Sequence, residues 1–284
     1  MNLKIGVLID SLRMSFSDAL METARLSVDS IQMYISSHQM STGSFDFSDA
    51  KKLTKQVRSH NLEISALVGD LGGHGFERKD ENKEKIPQTK AIVDFAQELE
   101  TNIITTHIGV IPEHKNDQYQ IMQEALAEIA AYAKTAGIYL AVETGPEKSA
   151  VLNRFIADTG ETHLKVNFDP ANIVMVQGED VIKAVETLKD YIVYTHAKDG
   201  RMIKKCNPIQ IYNAFAEGNP ENLNIDEYFV ELALGSGDVD FPEYLKALNK
   251  IGYSGSLTIE REAGENRLED IKNGVTFLKS IIND

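Results

Sequence analysis

Apolar and polar positions along this chain follow two recurring patterns. Short apolar runs bounded by Gly, Pro, Asn, Asp or Ser are typical of buried strands, and the chain contains eight of them. The predicted strands are 3–9, 30–34, 62–68, 102–106, 138–142, 164–168, 191–195 and 256–259. Longer segments, in which apolar residues recur at helical spacing, separate these runs, so strands and helices are expected to alternate.

Each predicted strand is followed by a predicted helix. The clearest is 117–136, because its apolar stripe ends at Gly137, a residue type that favours a helix C-terminus. The predicted helices are 17–26, 49–60, 84–100, 117–136, 147–158, 180–188, 241–251 and 267–282. Outside this pattern lie a polar loop at 36–44 and a long segment at 201–237, and a connection of that length often covers a site.

Regular alternation of strands and helices predicts a parallel sheet with crossover helices. Eight such units within 284 residues predict one α/β domain, a (β/α)8 TIM barrel that spans residues 1–284. A doubly wound open sheet is the alternative, but the residues after the first strand, 10–13, do not resemble a phosphate-binding turn. No linker or low-complexity tract marks a second domain.

Composition and charge narrow the class of protein. The chain is 42% apolar and 25% charged, which is ordinary for a globular protein. Its formal net charge of −14 disfavours nucleic acid as a partner, since an acidic surface repels phosphate backbones. The single cysteine, Cys206, fits a reducing compartment, and no apolar stretch approaches the roughly 20 residues of a membrane span. We expect a cytoplasmic protein without a signal peptide or membrane partner; its oligomeric state, including a homo-oligomer, stays open.

Four predicted strands end on a side chain that can bind a metal ion. These residues are Glu143, Asp169, His196 and Glu260. Because the carboxyl ends of the strands of a TIM barrel meet at one face, the four side chains are expected to share a centre. Three carboxylates and one imidazole suit Mn²⁺, Mg²⁺, Co²⁺ or Zn²⁺, with Mn²⁺ as the first candidate. A single residue of this kind after a strand usually belongs to a loop and has no metal-binding role. Four of them at the ends of four strands are hard to explain by chance.

Further candidates, for substrate binding, lie in loops at the same face. Lys198 and Arg201 lie just beyond the seventh strand, His107 follows the fourth, and a glycine-rich loop at 69–76 carries His74. This loop lacks the spacing of a dinucleotide-binding motif. For each candidate the alternative is structural: a solvated charged loop, a plain turn, or a histidine whose hydrogen bonds are satisfied within the fold.

Several short motifs surround the four candidate ligands. They are Ala141-Val-Glu143, Phe168-Asp169-Pro-Ala-Asn172, Thr195-His196-Ala-Lys198-Asp199, and the segments 234–241, 251–255 and 259–260. With these motifs the chain resembles, over essentially its whole length, the xylose isomerase-like family of sugar isomerases and epimerases, whose barrel is shared by endonuclease IV-type enzymes. The resemblance implies one divalent metal ion bound by Glu143, Asp169, His196 and Glu260. In the ketose 3-epimerases of this family the two Glu residues also exchange the substrate proton.

Departures from the family pattern limit what the resemblance implies. Enzymes of the endonuclease IV type hold three zinc ions and need further histidines. His107 matches one of these positions, but Asn172 stands where a second His is expected, and the Asp-x-His beyond the seventh strand is missing. We therefore expect one metal ion and no cleavage of DNA. Many ketose epimerases also carry a His where Asn172 stands, so their substrates are not carried over to this chain.

The sequence thus predicts a metal-dependent sugar isomerase or epimerase that acts on a ketose or related polyol. The resemblance implies a metal-stabilised enediolate, with Glu143 and Glu260 as the acid/base pair. The alternatives are an inosose-type dehydratase on the same scaffold, an endonuclease IV-like phosphodiesterase, and a non-catalytic sugar-binding barrel.

Overall fold

Eight parallel strands close into a barrel in this computed structural model, which describes residues 3–35, 47–220 and 222–282. The barrel strands are β1 (Lys4–Leu8), β2 (Ser30–Tyr34), β3 (Glu63–Val68), β4 (Ile103–Thr106), β5 (Tyr139–Glu143), β6 (Leu164–Phe168), β7 (Ile192–Ala197) and β10 (Ser256–Ile259), and two further strands outside the barrel are β8 (Asp199–Met202) and β9 (Phe229–Leu232). Around the barrel their order is β1-β10-β7-β6-β5-β4-β3-β2. The structure confirms the predicted TIM barrel; the polar loop predicted at 36–44 lies outside the described residues.

Helices connect the barrel strands in the predicted order. They are Phe16–Arg25, Phe47–Ser59, Lys79–Glu98, Asp117–Ala136, Ser149–Thr159, Val181–Leu188, Phe241–Lys250 and Arg267–Ile282. One helix begins at Lys79 rather than at the predicted residue 84. The sequence pattern missed its first turns because they are charged and show no apolar residues at helical spacing. Over the residues that the structure describes, no helix has the length and apolar character needed to cross a membrane.

Polar side chains join strands inside the barrel. Ser30 lies in β2 and Ser256 in β10, the two strands that pair with β1. Their hydroxyl oxygens are 3.1 Å apart and share a hydrogen bond. Gln32 donates from Nε2 to the Thr105 hydroxyl at 2.8 Å, and these four side chains are buried. Buried polar side chains therefore connect β2, β4 and β10 by hydrogen bonds inside the barrel.

The long segment after β7 has its own secondary structure. The strands β8 and β9 form an antiparallel hairpin, and the helix Pro208–Glu217 lies between them in the chain. A 3-10 turn at Ile225–Glu227 leads into β9. The sequence analysis did not predict this hairpin, because neither strand shows the alternation of apolar and polar residues expected of a half-buried strand.

We expect Gly75→Ala to destabilise the protein more than Gly137→Ala does. Both glycines have a positive φ, of +55° and +70°, where a Cβ costs roughly 1–2 kcal/mol. At Gly75 a Cβ would also lie 2.0 Å from the carbonyl carbon of Ile108, whereas no atom lies within 4 Å at Gly137. Thermal unfolding should therefore show the larger loss for Gly75→Ala. Equal losses would mean that the glycine-rich loop does not pack on the backbone beyond His107.

Candidate metal centre

The four side chains at the strand ends come together in the structure. Glu143, Asp169, His196 and Glu260 each offer one ligand atom, and these atoms all lie within 4.8 Å of one another. All four residues are buried, with at most 6% of their surface exposed. Glu143 is the last residue of β5 and His196 lies in β7, while Asp169 and Glu260 directly follow β6 and β10. The carboxyl ends of four strands therefore build one cluster, as predicted.

The imidazole of His196 lies at the centre of the acidic group. Its Nδ1 atom is 3.0 Å from Glu260 Oε2, 3.4 Å from Asp169 Oδ2 and 3.7 Å from Glu143 Oε2. One nitrogen thus faces an oxygen from each of three other strands. That arrangement gives one nitrogen and three carboxylate oxygens around a shared point, which is a donor set suited to a hard or borderline divalent cation.

A hydrogen-bonded chain fixes the orientation of this ring. His196 Nε2 lies 2.9 Å from Gln32 Oε1, and the Gln32 amide in turn donates to Thr105. Because the Gln32 oxygen only accepts, it favours a proton on Nε2. Burial lowers the pKa of His196, but Glu260 and Glu143 outweigh it and hold the pKa well above its usual range, so Nδ1 faces the carboxylates as a donor, and a bound metal ion would replace its proton. Sequence reasoning missed Gln32, whose only signal is a polar residue inside an apolar strand.

Two asparagines hold Glu143 in place. Asn167 Nδ2 donates to Glu143 Oε2 at 3.0 Å, and Asn172 Nδ2 donates to Glu143 Oε1 at 3.2 Å. The backbone N–H of Asn172 also donates to Asp169 Oδ1 at 2.9 Å. Asn172 therefore connects two of the four candidate ligands, and each Glu143 oxygen accepts one amide hydrogen bond.

Burial and neighbouring charges move the pKa values of the acids in opposite directions. Burial raises the pKa of Glu143 to about 7, against the opposing effects of His107 and His196. For Glu260, burial also raises the pKa, but Lys198 and His196 outweigh it and hold the pKa well below its usual range. Three buried carboxylates with one imidazole carry surplus negative charge, which a divalent cation would neutralise. The residues present therefore fit a metal ion.

Lys198 and His107 lie beside the cluster, as the sequence predicted. The Lys198 ammonium is 2.6 Å from Glu262 Oε2, 3.1 Å from Glu260 Oε2 and 3.9 Å from Glu231 Oε2. His107 Nδ1 is 3.1 Å from Asp70 Oδ2. The same imidazole has its Nε2 3.6 Å from an oxygen of Glu143, so it bridges the glycine-rich loop and the cluster.

The structure places the other two predicted substrate-binding residues away from the cavity. The Arg201 guanidinium donates to Asp238 Oδ1 at 2.7 Å in a half-exposed ion pair. His74 is buried, and its Nε2 lies 3.0 Å from Glu217 Oε1. Neither residue lines the cavity over the cluster. Here Arg201 joins β8 to the loop that follows β9, and His74 joins the glycine-rich loop to the helix Pro208–Glu217.

A cavity of about 300 Å³ opens over the cluster. Its polar lining residues include His107 and Lys198, and its apolar lining residues include Met175, Tyr212 and Phe229. Tyr212 comes from the segment after β7, which the sequence analysis expected to cover a site. The volume lies at the lower end of the range of about 300–1,000 Å³ for ligand pockets, so the cavity suits a small molecule.

Glu147 is a buried acid that sequence reasoning missed. It is 6% exposed, and neither carboxyl oxygen has a hydrogen-bond partner among the described residues. Burial raises its pKa to about 8. The carboxyl group is therefore mostly protonated at neutral pH.

The cluster should bind one divalent ion per chain, and Glu260→Ala should lose it. Removal of one of four donors weakens a site of this kind strongly, and we expect at least about a tenfold loss of affinity for Mn²⁺. Metal content after dialysis and Mn²⁺ titration would measure it. Glu262→Ala is the matched control, since Glu262 lines the cavity but lies outside the four donors. Retention of the ion by Glu260→Ala would contradict the assignment.

The pH dependence of stability should show that Glu147 is protonated in the folded protein at neutral pH. Above about pH 4.5 the unfolded chain releases this proton, whereas the folded chain keeps it until about pH 8. The free energy of unfolding of the wild type should therefore fall, relative to Glu147→Gln, by on the order of 3 kcal/mol between pH 5 and pH 8. Denaturant unfolding at both pH values measures the difference. Parallel pH curves for the two proteins would show that Glu147 is ionised in the fold.

Known relatives of the chain match parts of it. An uncharacterized protein of Methanocaldococcus jannaschii is 27% identical over 183 residues, covering 60% of this chain and 54% of that protein. The rhizopine catabolism protein MocC of Rhizobium meliloti is 27% identical over 55% of this chain and 46% of its own length. Inosose dehydratase of Lacticaseibacillus casei is 23% identical over 53% and 49%. The chain thus spans about half the length of these curated relatives.

Solved structures share the fold across nearly the whole chain. A xylose isomerase domain protein from Planctomyces limnophilus has a TM-score of 0.79 at 23% identity, covering 100% of this chain and 98% of that one. A probable 3-DHS dehydratase, AsbF, from Bacillus anthracis has a TM-score of 0.75 at 17% identity, covering 98% and 99%. The family model described as the xylose isomerase-like TIM barrel matches residues 20–281. The chain therefore belongs to the xylose isomerase-like TIM barrel family.

Proposed function

We propose that this protein is a divalent-metal-dependent sugar isomerase or epimerase. The observation that carries the proposal is the position of Glu143 and Glu260 in one buried cluster, on strands that β6 and β7 separate around the barrel. Two carboxylates on separated strands can approach one substrate carbon from different sides. Family membership supports an enzyme of this type, since neighbouring structures include an L-ribulose 3-epimerase with a TM-score of 0.72 at 17% identity.

The four-residue cluster would hold the metal ion, with Mn²⁺ as the first candidate and Mg²⁺, Co²⁺ or Zn²⁺ as the alternatives. A bound divalent cation supplies Lewis acidity, which makes a C–H bond next to a substrate carbonyl more acidic. The donors proposed for it are Glu143, Asp169, His196 and Glu260, whose ligand atoms lie within 4.8 Å of one another. Gln32 would keep the His196 lone pair available by holding the proton on Nε2.

Glu143 and Glu260 would exchange the substrate proton. One carboxylate removes the proton from the carbon, and the other returns a proton to the opposite face or to the neighbouring carbon. Return to the opposite face inverts the carbon, which is epimerisation, and return to the neighbour is isomerisation. The amides of Asn167 and Asn172 fix Glu143, and the ammonium of Lys198 fixes Glu260, so both acids are positioned before the substrate binds.

His107 and Lys198 would contact hydroxyl groups of the substrate. Both line the cavity beside the cluster, and each carries N–H donors. Tyr212 and Phe229, which also line the cavity, would cover the C–H face of the sugar and restrict the entry of water. The structure offers no cavity contact through which Arg201 or His74 would bind the same substrate, so we assign neither a role there.

A dehydratase is the second candidate, and Lys198 is the residue that favours it. Its ammonium lies 3.1 Å from Glu260 Oε2, so a proton donor stands next to one of the two proposed bases. A hydroxyl group that leaves a neighbouring carbon needs such a donor. Inosose dehydratase is among the relatives of the chain, at 23% identity over 53% of its length.

Replacement of either glutamate by glutamine should abolish proton exchange at carbon. We expect Glu143→Gln and Glu260→Gln to lose solvent deuterium incorporation by about 10²-fold or more in saturating Mn²⁺, because an amide oxygen can still bind metal but cannot act as a base. NMR in D₂O with a panel of ketoses, polyols and keto-inositols measures the exchange and identifies the product.

Glu63→Gln is the matched control, since Glu63 lies at the first position of β3 and pairs with the exposed Lys4. It should exchange at the wild-type rate. If both cluster variants also exchange at that rate with metal bound, the two-carboxylate mechanism is wrong and His107 or Lys198 becomes the candidate base. A dehydrated product would favour the second candidate, and binding of a sugar without any exchange would indicate a non-catalytic barrel.

A further inference from the structure

The charges around the cavity narrow the class of substrate. We propose that the site takes an uncharged polyhydroxy carbonyl compound and rejects the corresponding phosphate esters and carboxylic acids. This inference rests on the function proposed above, because it concerns the same cavity. It is carried by three features of the described residues: the state of the cationic side chains, the number of carboxylates, and the partners of the nearby backbone amides.

The two cationic side chains that line the cavity among the described residues are already paired. Lys198 has three carboxylates within 3.9 Å, on Glu231, Glu260 and Glu262. Two of these contacts, to Glu262 and Glu260, are hydrogen bonds, and the carboxylate of Glu231 adds a third negative charge beside the ammonium. A substrate phosphate that paired with Lys198 would therefore lie next to these carboxylates, of which Glu260 is buried and Glu231 has a side chain that is only 8% exposed.

The imidazole of His107 likewise has a carboxylate next to each of its two nitrogens. Its Nδ1 is paired with Asp70 at 3.1 Å, and its Nε2 faces Glu143 at 3.6 Å. Both nitrogens are thus directed at carboxylates that belong to the protein. A hydroxyl group can share such a nitrogen with a carboxylate, since it donates as well as accepts, whereas a phosphate only adds negative charge.

Carboxylates outnumber cations on the cavity wall. The acids that line it are Asp70, Glu143, Glu231, Glu260 and Glu262, and Asp169 lies directly beneath them in the cluster. With a divalent ion in the cluster and both His107 and Lys198 charged, this group of residues still carries net negative charge. A dianionic substrate would therefore meet repulsion in a site of reduced solvent screening.

Backbone amides that commonly bind phosphate in TIM barrels are occupied by a side chain. In many such barrels the loops after the seventh and eighth strands hold phosphate through N–H groups. In this chain the Asp199 carboxylate, just beyond β7, accepts hydrogen bonds from four backbone N–H groups. The donors, at 2.8–3.2 Å, are Gly200, Gly235, Gly237 and Val239. The carboxylate of Asp199 thus occupies these four N–H groups, which are not available to a phosphate.

The remaining acceptors suit hydroxyl groups. Glu262 is exposed, lines the cavity and accepts one hydrogen bond from Lys198, so its carboxylate can still form strong hydrogen bonds with O–H donors. The apolar lining residues Tyr212 and Phe229 suit the C–H face of a sugar or cyclitol. A compound with many hydroxyl groups, one carbonyl and no charge matches this lining.

The test compares free sugars with their phosphates on the Mn²⁺-loaded protein. The probes are D-fructose, D-tagatose and scyllo-inosose, with D-fructose 6-phosphate, D-tagatose 6-phosphate and D-fructuronate as their charged counterparts. Calorimetric titration measures binding, and deuterium incorporation from D₂O measures turnover, both at constant free Mn²⁺. We expect at least one uncharged probe to bind and each charged probe to bind about 10²-fold more weakly than its uncharged parent.

A charge variant links the preference to the cavity wall. Glu262→Gln should reduce the discrimination against D-fructose 6-phosphate about tenfold, whereas Glu269→Gln, at an exposed position of the helix Arg267–Ile282, should leave it unchanged. A phosphate or carboxylate that binds as tightly as its parent, or failure of every uncharged probe to bind, would overturn the inference. Binding of uncharged probes without deuterium incorporation would instead count against the proposed function and leave this inference supported.

Discussion

Repulsion among three buried carboxylates is the constraint on which the rest of this site depends. The ligand atoms of Glu143, Asp169 and Glu260 lie within 4.8 Å of one another and of His196, in residues that are almost fully buried. Buried charges of one sign are costly unless cations and hydrogen-bond donors compensate them. The surrounding residues supply the donors, and the surplus negative charge calls for a divalent cation.

Each member of the cluster is held by a partner from a different part of the barrel. Asn172 connects Glu143 and Asp169, Lys198 pairs with Glu260, and Gln32 orients the imidazole of His196. These contacts come from strand ends that are distant in sequence, so the closed barrel is what makes the site possible. The same pairing leaves the cavity without a free cation among its described lining residues, which connects the architecture of the cluster to the choice of an uncharged substrate.

The sequence predicted the barrel and the cluster for one reason. Short apolar runs that end on a polar side chain are visible in the hydrophobic pattern. Glu143 and Glu260 stand out because an apolar run stops on them. Gln32 lies inside an apolar strand rather than at its end, and its role depends on a contact with the distant His196. Glu147 lies in a loop, where the hydrophobic pattern does not show that it is buried. Arg201 was proposed from its proximity in sequence to His196, but it lies in strand β8 and its guanidinium pairs with Asp238. Local pattern fixes the elements, whereas hydrogen-bond partners are set only when the barrel closes.

The position of a bound metal ion tests the account most directly. Crystals of the protein grown with Mn²⁺ would show it in an anomalous difference map. The account predicts one peak per chain, within about 2.0–2.4 Å of His196 Nδ1 and of an oxygen from each of the three acids. A peak bound through His196 Nε2, a peak elsewhere, or no peak at saturating Mn²⁺ would contradict it.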